Sequence, residues 1–412
     1  MIIRNLLLII YTFGLLTEIR LFSGDQLLVP VVISFFIGFF FVITHLPKYF
    51  KSNLKYFYLI ILFFFLSVFF GPNKFDSLLL QERFLGFVQM FTSLIIAVAI
   101  FFELEKYDLK LLSNFFLALF SILIFGAIIE ILTPFKFILD QIMQPLFPDG
   151  YYAGYDEKIM RDESLYAFYR PKFFTSEASH LGKFVSMCLL FWRLSTSSRN
   201  KNIIFLLLLI IAFLIIRSPL ILFLIPIHFL IVFTLERVSI KKINLIPAVA
   251  TFFLFLVLIV SSIQVLNERI NLANFGNDSS LDARLIIPTF VTLEVLSEFP
   301  LFGVGIAGKE AIENIVIEKF QELDPNFKPR SMKELLDKNH AATLQYLIYF
   351  GLLGTFIIIF LTMNLIKSFG VQNWIFIILV FAILGFTHGK LTGLNTWTYF
   401  FVTCSLLLKN KF

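Results

Sequence analysis

The chain has 412 residues, 58% of them hydrophobic and only 15% charged, with 56 phenylalanines and a mean hydropathy of +0.88. Soluble domains run at about 45–50% apolar and about 25% charged, so a soluble enzyme, a disordered chain and a disulfide scaffold are all excluded. Net charge is +6, from 34 Lys and Arg against 28 Asp and Glu, an excess that membrane proteins place on their inner loops and that gives no reason to invoke nucleic acid. Cys188 and Cys404 both fall in apolar stretches, so neither a disulfide framework nor a thiolate metal site follows.

At about 20 apolar residues per crossing of a ~30 Å hydrocarbon core, the composition allows about a dozen spans. The apolar runs fall at 5–22, 27–44, 57–71, 84–102, 111–133, 178–194, 203–216, 219–235, 245–263, 342–363, 374–388 and 391–408. The first lacks a small-residue cleavage site and is followed at once by another, so it reads as a span that stays. No alternating ten-residue pattern occurs, and backbone groups in lipid must be satisfied internally, so the runs are expected to be helices rather than barrel strands. The expected fold is an all-α polytopic membrane protein with about 12 transmembrane helices, a single integral domain over 1–412.

With the N-terminus inside, the inner segments carry fifteen Lys and Arg (among them Lys48, Lys106, Arg193, Lys201 and Lys409) against five on the short outer loops: Arg20, Lys74, Arg83, Arg217 and Lys390. That asymmetry predicts both termini on the cytoplasmic side. Two long connections, 134–177 and 264–341, then fall on the outer face, and long connections in compact proteins are usually functional. Within the second, Ile312, Ile315, Val316, Phe320 and Leu323 recur at helical spacing, which predicts an amphipathic surface helix over Glu310–Leu323, ended by Pro325.

Gly303, Gly308 and Lys309 have the spacing of a phosphate-binding loop, but Glu310 stands where Ser or Thr is needed and no strand precedes it, so the match is a decoy. The five histidines are scattered, and neither a metal pair nor a nucleophile elbow occurs, so no metal and no cofactor is expected. What remains is a constellation of polar residues on the outer side. Tyr169, Arg170, Lys172, Glu177 and His180 lead into the sixth run, Arg217 sits in a tight turn, Arg284 follows Asp282, and His340 opens the tenth run.

These types suit transfer from a lipid diphosphate. Arg binds phosphate oxygens as a planar fork and cannot lose its charge. Converging arginines would stabilise charge growing on a leaving diphosphate, and a neutral His or a Glu would take the proton from an attacking sugar hydroxyl. Tyr151, Tyr152, Tyr155, Tyr166 and Phe168 offer flat faces for sugar rings. Each residue also has a plainer reading: Arg170, Lys172 and Arg217 as interfacial anchors, Arg284 as an ion pair with Asp282, Glu177 as a helix cap, His228 as hydrogen-bonded packing. Glu130 and Lys183, ionisable groups inside apolar runs, belong in the same balance. The argument rests on convergence on one face.

The segment Phe173 to His180 after Arg170, the pairing of Arg284 with Pro300–Gly305, His340 with Gly351 and Gly354, and the Arg217 turn together resemble the O-antigen polymerase and O-antigen ligase superfamily (Wzy- and WaaL-type enzymes). Two departures stand out: Ala178 where that family usually has Pro, and Asn339 before rather than after His340. The resemblance implies a GT-C-like, metal-independent membrane glycosyltransferase of the bacterial inner membrane, acting on undecaprenyl-diphosphate-linked oligosaccharides with its site facing the periplasm. Arg170 and Arg284 would grip the donor diphosphate, with Arg217 assisting, and His340 or Glu177 would be the base. His180, Lys172 and Tyr169 would be further substrate contacts. The polymerase branch of lipopolysaccharide and polysaccharide biosynthesis is favoured, with a ligase to lipid A core or protein, or a lipid-linked oligosaccharide flippase, as alternatives. Membrane lipids are expected partners, and a chain-length regulator is left open.

Overall fold

The computed structural model describes residues 2–17, 31–50, 54–71, 77–144, 170–175, 177–198, 200–236, 287–308, 310–323, 342–387 and 390–410. Every regular element among these residues is helical. The first half holds α1 (Ile2–Thr17), α2 (Val32–Tyr49), α3 (Lys55–Ser67), α4 (Ser77–Leu104), α5 (Leu109–Leu132) and the short α6 (Phe135–Met143). Then come α7 (Ala178–Ser195), α8 (Lys201–Ile216) and α9 (Leu224–Leu230), the last entered through a 3₁₀ turn at Pro219–Phe223 and continued by a π turn at Ile231–Leu235. The second half adds α10 (Ile287–Glu298), α11 (Glu313–Leu323), α12 (Ala342–Ser368), α13 (Trp374–Thr387) and α14 (Leu394–Lys409).

Local chemistry marks the helix ends. Asp108 caps α5, its Oδ1 accepting the Leu111 amide at 2.6 Å. Helix α12 stops at Gly370 (φ +84), where the Gly370 and Val371 amides return to the carbonyls of Lys367 and Ile366 at 2.9 and 3.3 Å, the left-handed glycine closure that satisfies terminal carbonyls.

Helix α7 is buried along nearly its whole length and packs against α5, α8 and α14, while α14 also lies along α4, and α12 along α3, α10 and α13. The outer faces of the bundle invert the soluble pattern. Phe36, Phe125 and Phe356 are 65%, 64% and 66% exposed, and Ile203, Leu207, Ile211 and Leu214 form an exposed stripe down α8. Soluble monomers do not present apolar surface on this scale, whereas lipid covers it without cost. The protein is an α-helical membrane protein.

The run 245–263 lies outside the described residues; the described part of every other apolar run falls largely on a helix. Among the described residues, four helical stretches are long and apolar enough to cross a membrane: Val32–Tyr49, Leu80–Leu104, Leu109–Leu132 and Ala342–Ser368. Others are shorter apolar helices of 10–17 residues. The 13 residues of α3 rise only about 20 Å against a ~30 Å core. Arg83 needs a correction: it is not a loop residue but sits inside α4, fully buried, because the helix begins before the apolar run does.

One end of the bundle gathers charge pairs. Lys106 Nζ and His45 Nε2 meet Glu103 at 2.6 and 2.8 Å, Lys48 meets Glu105 at 2.9 Å, and Arg193 and Lys201 share Glu236 at 3.0 and 2.6 Å. Lys409 donates to the Glu105 carbonyl at 2.8 Å. The opposite end holds the candidate site.

Candidate active site

The site begins with a carboxylate in the last turn of α5. Glu130 is 2% exposed. Its two oxygens accept the Lys172 amide at 3.0 and 3.1 Å, and Oε2 also accepts the Phe173 amide at 2.7 Å. Those amides belong to a turn with two non-glycine residues in the left-handed region, Phe173 (φ 29) and Phe174 (φ 62). Such conformations cost about 1–2 kcal/mol per residue and persist only where the surroundings over-determine them. Here the surroundings do so from several sides. The Phe173 ring fills the space left by Gly126, one turn before Glu130, where an added Cβ would meet ring carbons at 2.2 Å. The Phe174 ring packs edge-on against Phe13 of α1, with centroids 5.8 Å apart, and the Thr175 hydroxyl reaches the carbonyls of Lys172 and Glu177.

This turn carries the sequence-predicted residues. Arg170 is half-buried just before it and Lys172 is buried within it. Glu177 stands at the N-cap position of α7 but makes no side-chain capping bond. Its Oε1 instead accepts the Ser179 hydroxyl at 2.5 Å and lies 3.4 Å from His180 Nε2. Glu177 and His180 are each about one-third exposed, so the pair can meet an incoming hydroxyl. The capping interpretation of Glu177 is thus replaced by a carboxylate–imidazole pair.

Arg217 closes α8 in the left-handed region (φ 49), its amide donating to Phe213 at 2.8 Å. The next residue, Ser218, packs on Gly182 of α7, where an added Cβ would meet its side chain at 2.5 Å. The glycine therefore lets the Arg217 turn close against the helix turn that follows His180. Partial burial holds the Arg217 guanidinium below its ordinary pKa, and an arginine still keeps its charge at neutral pH. Lys183 lies over the Tyr399 ring at 5.9 Å. His228 is stacked on Phe205, centroids 4.7 Å apart, and its Nδ1 has no hydrogen-bond partner among the described residues, so packing rather than hydrogen bonding fixes it.

A second feature is a broken helix. Within α12, Gly351 adopts φ 62 and ψ −167, which interrupts the helical ladder. The loop after α10 repairs it: Val304 and Gly305 donate to the freed carbonyls of Ile348 and Tyr349 at 3.0 and 2.9 Å, while Leu352 and Leu353 donate to Pro300 and Leu301 at 2.8 and 3.1 Å. Irregular backbone is tolerated in a membrane bundle only when buried and satisfied in this way, and broken helices there often line binding sites. The same bonds explain the decoy phosphate loop. The amides of Gly303, Val304, Gly305, Ile306 and Gly308 all donate to the chain's own carbonyls, leaving none of these five to cradle a phosphate. Beside this loop lies Arg83, its Nε within 3.3 and 3.4 Å of where Cβ atoms on Gly305 and Gly308 would stand.

The structure therefore places Arg170 and Lys172 beside the Glu130-held turn and pairs Glu177 with His180 at the start of α7, with the Arg217 turn against the same helix. Arg284, His340 and Tyr169 lie outside the described residues, as do Tyr151, Tyr152, Tyr155, Tyr166 and Phe168. Sequence reasoning singled out Glu130 only as an ionisable group inside an apolar run, without a specific role, and assigned Arg83 to a loop. The signal available for Glu130 was an ionisable residue within a helix-length apolar stretch, whereas Arg83 stands just before its run.

Residues 184–359 match the family model described as O-antigen ligase. Over those residues, less than half of its length, the chain is similar to the O-antigen ligase family. This match supports the O-antigen ligase and polymerase superfamily that the motifs resemble. The matched domain starts four residues after His180 and ends eight after Gly351, so it contains the Arg217 turn, Arg284, the Pro300–Gly308 loop and His340. Arg170, Lys172, Glu177 and Glu130 precede it. No curated protein and no solved structure matches the chain.

Proposed function

We propose that this membrane protein is a glycan polymerase of the O-antigen ligase and polymerase superfamily. It joins repeat units on the periplasmic face of the bacterial inner membrane, with both termini cytoplasmic. The donor is an undecaprenyl-diphosphate-linked glycan and the acceptor a lipid-linked repeat unit. Arg170 and Arg284 bind the donor diphosphate, with Arg217 assisting. The acceptor hydroxyl attacks the anomeric carbon, the bond from that carbon to the phosphate oxygen breaks, and the diphosphate leaves as an anion held by the arginines. His340 takes the hydroxyl proton, with Glu177 as the rival base. Lys172, His180 and Tyr169 contact substrate.

The observation that carries this reading is the Glu177–His180 pair on the same pinned segment as Arg170 and Lys172: a proton acceptor within ten residues of two cations, the types that transfer from a diphosphate uses. The matched family model, described as O-antigen ligase, favours a second reading in which the same donor passes its glycan to lipid A core or protein.

Cells lacking the chain, complemented with wild type, Arg170→Ala or Arg284→Ala, separate the readings by the length and attachment of their glycans. Single repeat units in knockout and mutants support the polymerase. Long lipid-linked polymer that never reaches its final acceptor replaces it with the ligase. Repeat units trapped on the cytoplasmic face overturn both in favour of a flippase.

A further inference from the structure

We infer that Glu130 is the positioning residue of this site, a latch that holds the Arg170–His180 segment in its working geometry; the inference rests on the glycosyl-transfer reading above. Helix α5 has no sequence neighbour in the site, yet its last turn reaches across 42 residues to the Lys172 amide and 43 to the Phe173 amide. A pair of successive backbone amides beside left-handed residues makes a small anion-binding concavity. Here the chain's own carboxylate fills it. The diphosphate must then be held by side chains, and the carboxylate fixes where those side chains start. Arg170 lies two residues before the first latched amide, and Glu177 four residues after the second. The strained φ values at Phe173 and Phe174 are the expected signature of a turn held from outside rather than by its own preference.

With its one acceptor oxygen in the Oε2 place a glutamine still faces both amides, but its NH₂ then stands in the Oε1 place, 3.0 Å from the Lys172 amide, donor against donor. Released by that mismatch, the segment moves its reactive groups, and displacements of about 1 Å cost up to about a hundredfold in rate. Glu130→Gln is therefore expected to lower kcat by roughly ten- to a hundredfold with a smaller change in KM, because the groups displaced act on the transition state. Glu130→Asp keeps the charge but is one methylene too short to span both amides, and should fall between wild type and Glu130→Gln.

The experiment uses the full chain in detergent micelles and reads two quantities. One is transfer from a synthetic polyprenyl-diphosphate oligosaccharide, as kcat and KM per folded molecule. The other is amide hydrogen exchange. Faster exchange confined to the amides of Lys172, Phe173 and their neighbours in Glu130→Gln, with kcat reduced and helix amides unchanged, supports the latch. Faster exchange with unchanged kcat overturns the positioning role, and unchanged exchange overturns the latch itself. If Glu130→Gln does not accumulate, Glu130→Asp decides: reduced yield with wild-type kcat assigns Glu130 to folding alone. A wild type that shows no transfer overturns the functional reading, and the positioning role with it, while the exchange contrast still reports whether the latch exists.

Discussion

Replacing Gly351 by alanine should unlock the broken helix. At φ 62 and ψ −167 the residue occupies backbone space that is essentially glycine-only, at a cost of about 1–3 kcal/mol for an L residue. The added Cβ would stand 2.6 Å from the carbonyl carbon and oxygen of Leu301 and 2.7 Å from the Gly303 amide nitrogen. These are backbone atoms that cannot swing aside. Moving them strains or breaks the bonds from Leu353 and Gly354 to Leu301, 3.1 and 3.2 Å long, and each buried group left unsatisfied costs about 1–3 kcal/mol. With one such group left unsatisfied the sum is a destabilisation of about 2–6 kcal/mol, large for a single substitution. Gly370→Ala is the internal control. It also has positive φ (+84), but the nearest atom to an added Cβ is the Leu408 Cδ1 at 3.5 Å, so only backbone strain of about 1–2 kcal/mol applies. Unfolding of both variants, followed by denaturant titration in mixed micelles, gives the comparison. Equal losses at the two positions would refute the claim that the Pro300–Gly305 loop is locked to the helix break.

Other substitutions probe the site and the opposite end. Gly126→Ala drives a methyl into the Phe173 ring and should cost about 1–3 kcal/mol by overpacking, measured as a lowered midpoint of unfolding together with reduced transfer. Glu177→Gln should lower kcat by about a hundredfold or more if Glu177 is the base and remove the acidic limb of the pH–rate profile; an intact limb would leave the role to His340. At the far end, burial works to raise the pKa of Glu236, but bonds to Lys201 and charge from Arg193 outweigh it and hold the carboxylate below its ordinary 4.5. A depressed carboxylate stabilises the fold above its unfolded pKa and loses that contribution as pH falls through the folded value. Wild type should thus lose stability on acidification below about pH 4.5, while Glu236→Gln should be weaker by about 3 kcal/mol at neutral pH and show a flatter acid dependence in melting experiments.

Much of the architecture was legible along the chain because lipid imposes a length and an apolar composition on whatever crosses it. Phe36, Phe125 and Phe356 point outward for the same reason that makes their runs conspicuous, and Arg170, Lys172, Glu177 and His180 stand close enough in sequence to be read as one group. Asp108 before α5 and Gly370 after α12 are local signals with local consequences. Tertiary structure decided matters that depend on residues far apart. Nothing near Glu130 announces that its carboxylate will take amides 42 and 43 residues on, because a backbone amide leaves no mark in a sequence. The glycines of the Pro300–Gly308 loop suggested a phosphate cradle by spacing, and only the packed fold shows their amides spent on the carbonyls that Gly351 releases. Arg83, outside the apolar run by composition, lies inside the helix in space, since a helix end follows its hydrogen bonds and not its hydropathy. Composition settled which solvent the chain lives in, and long-range backbone pairing settled which of its polar groups remain available for chemistry.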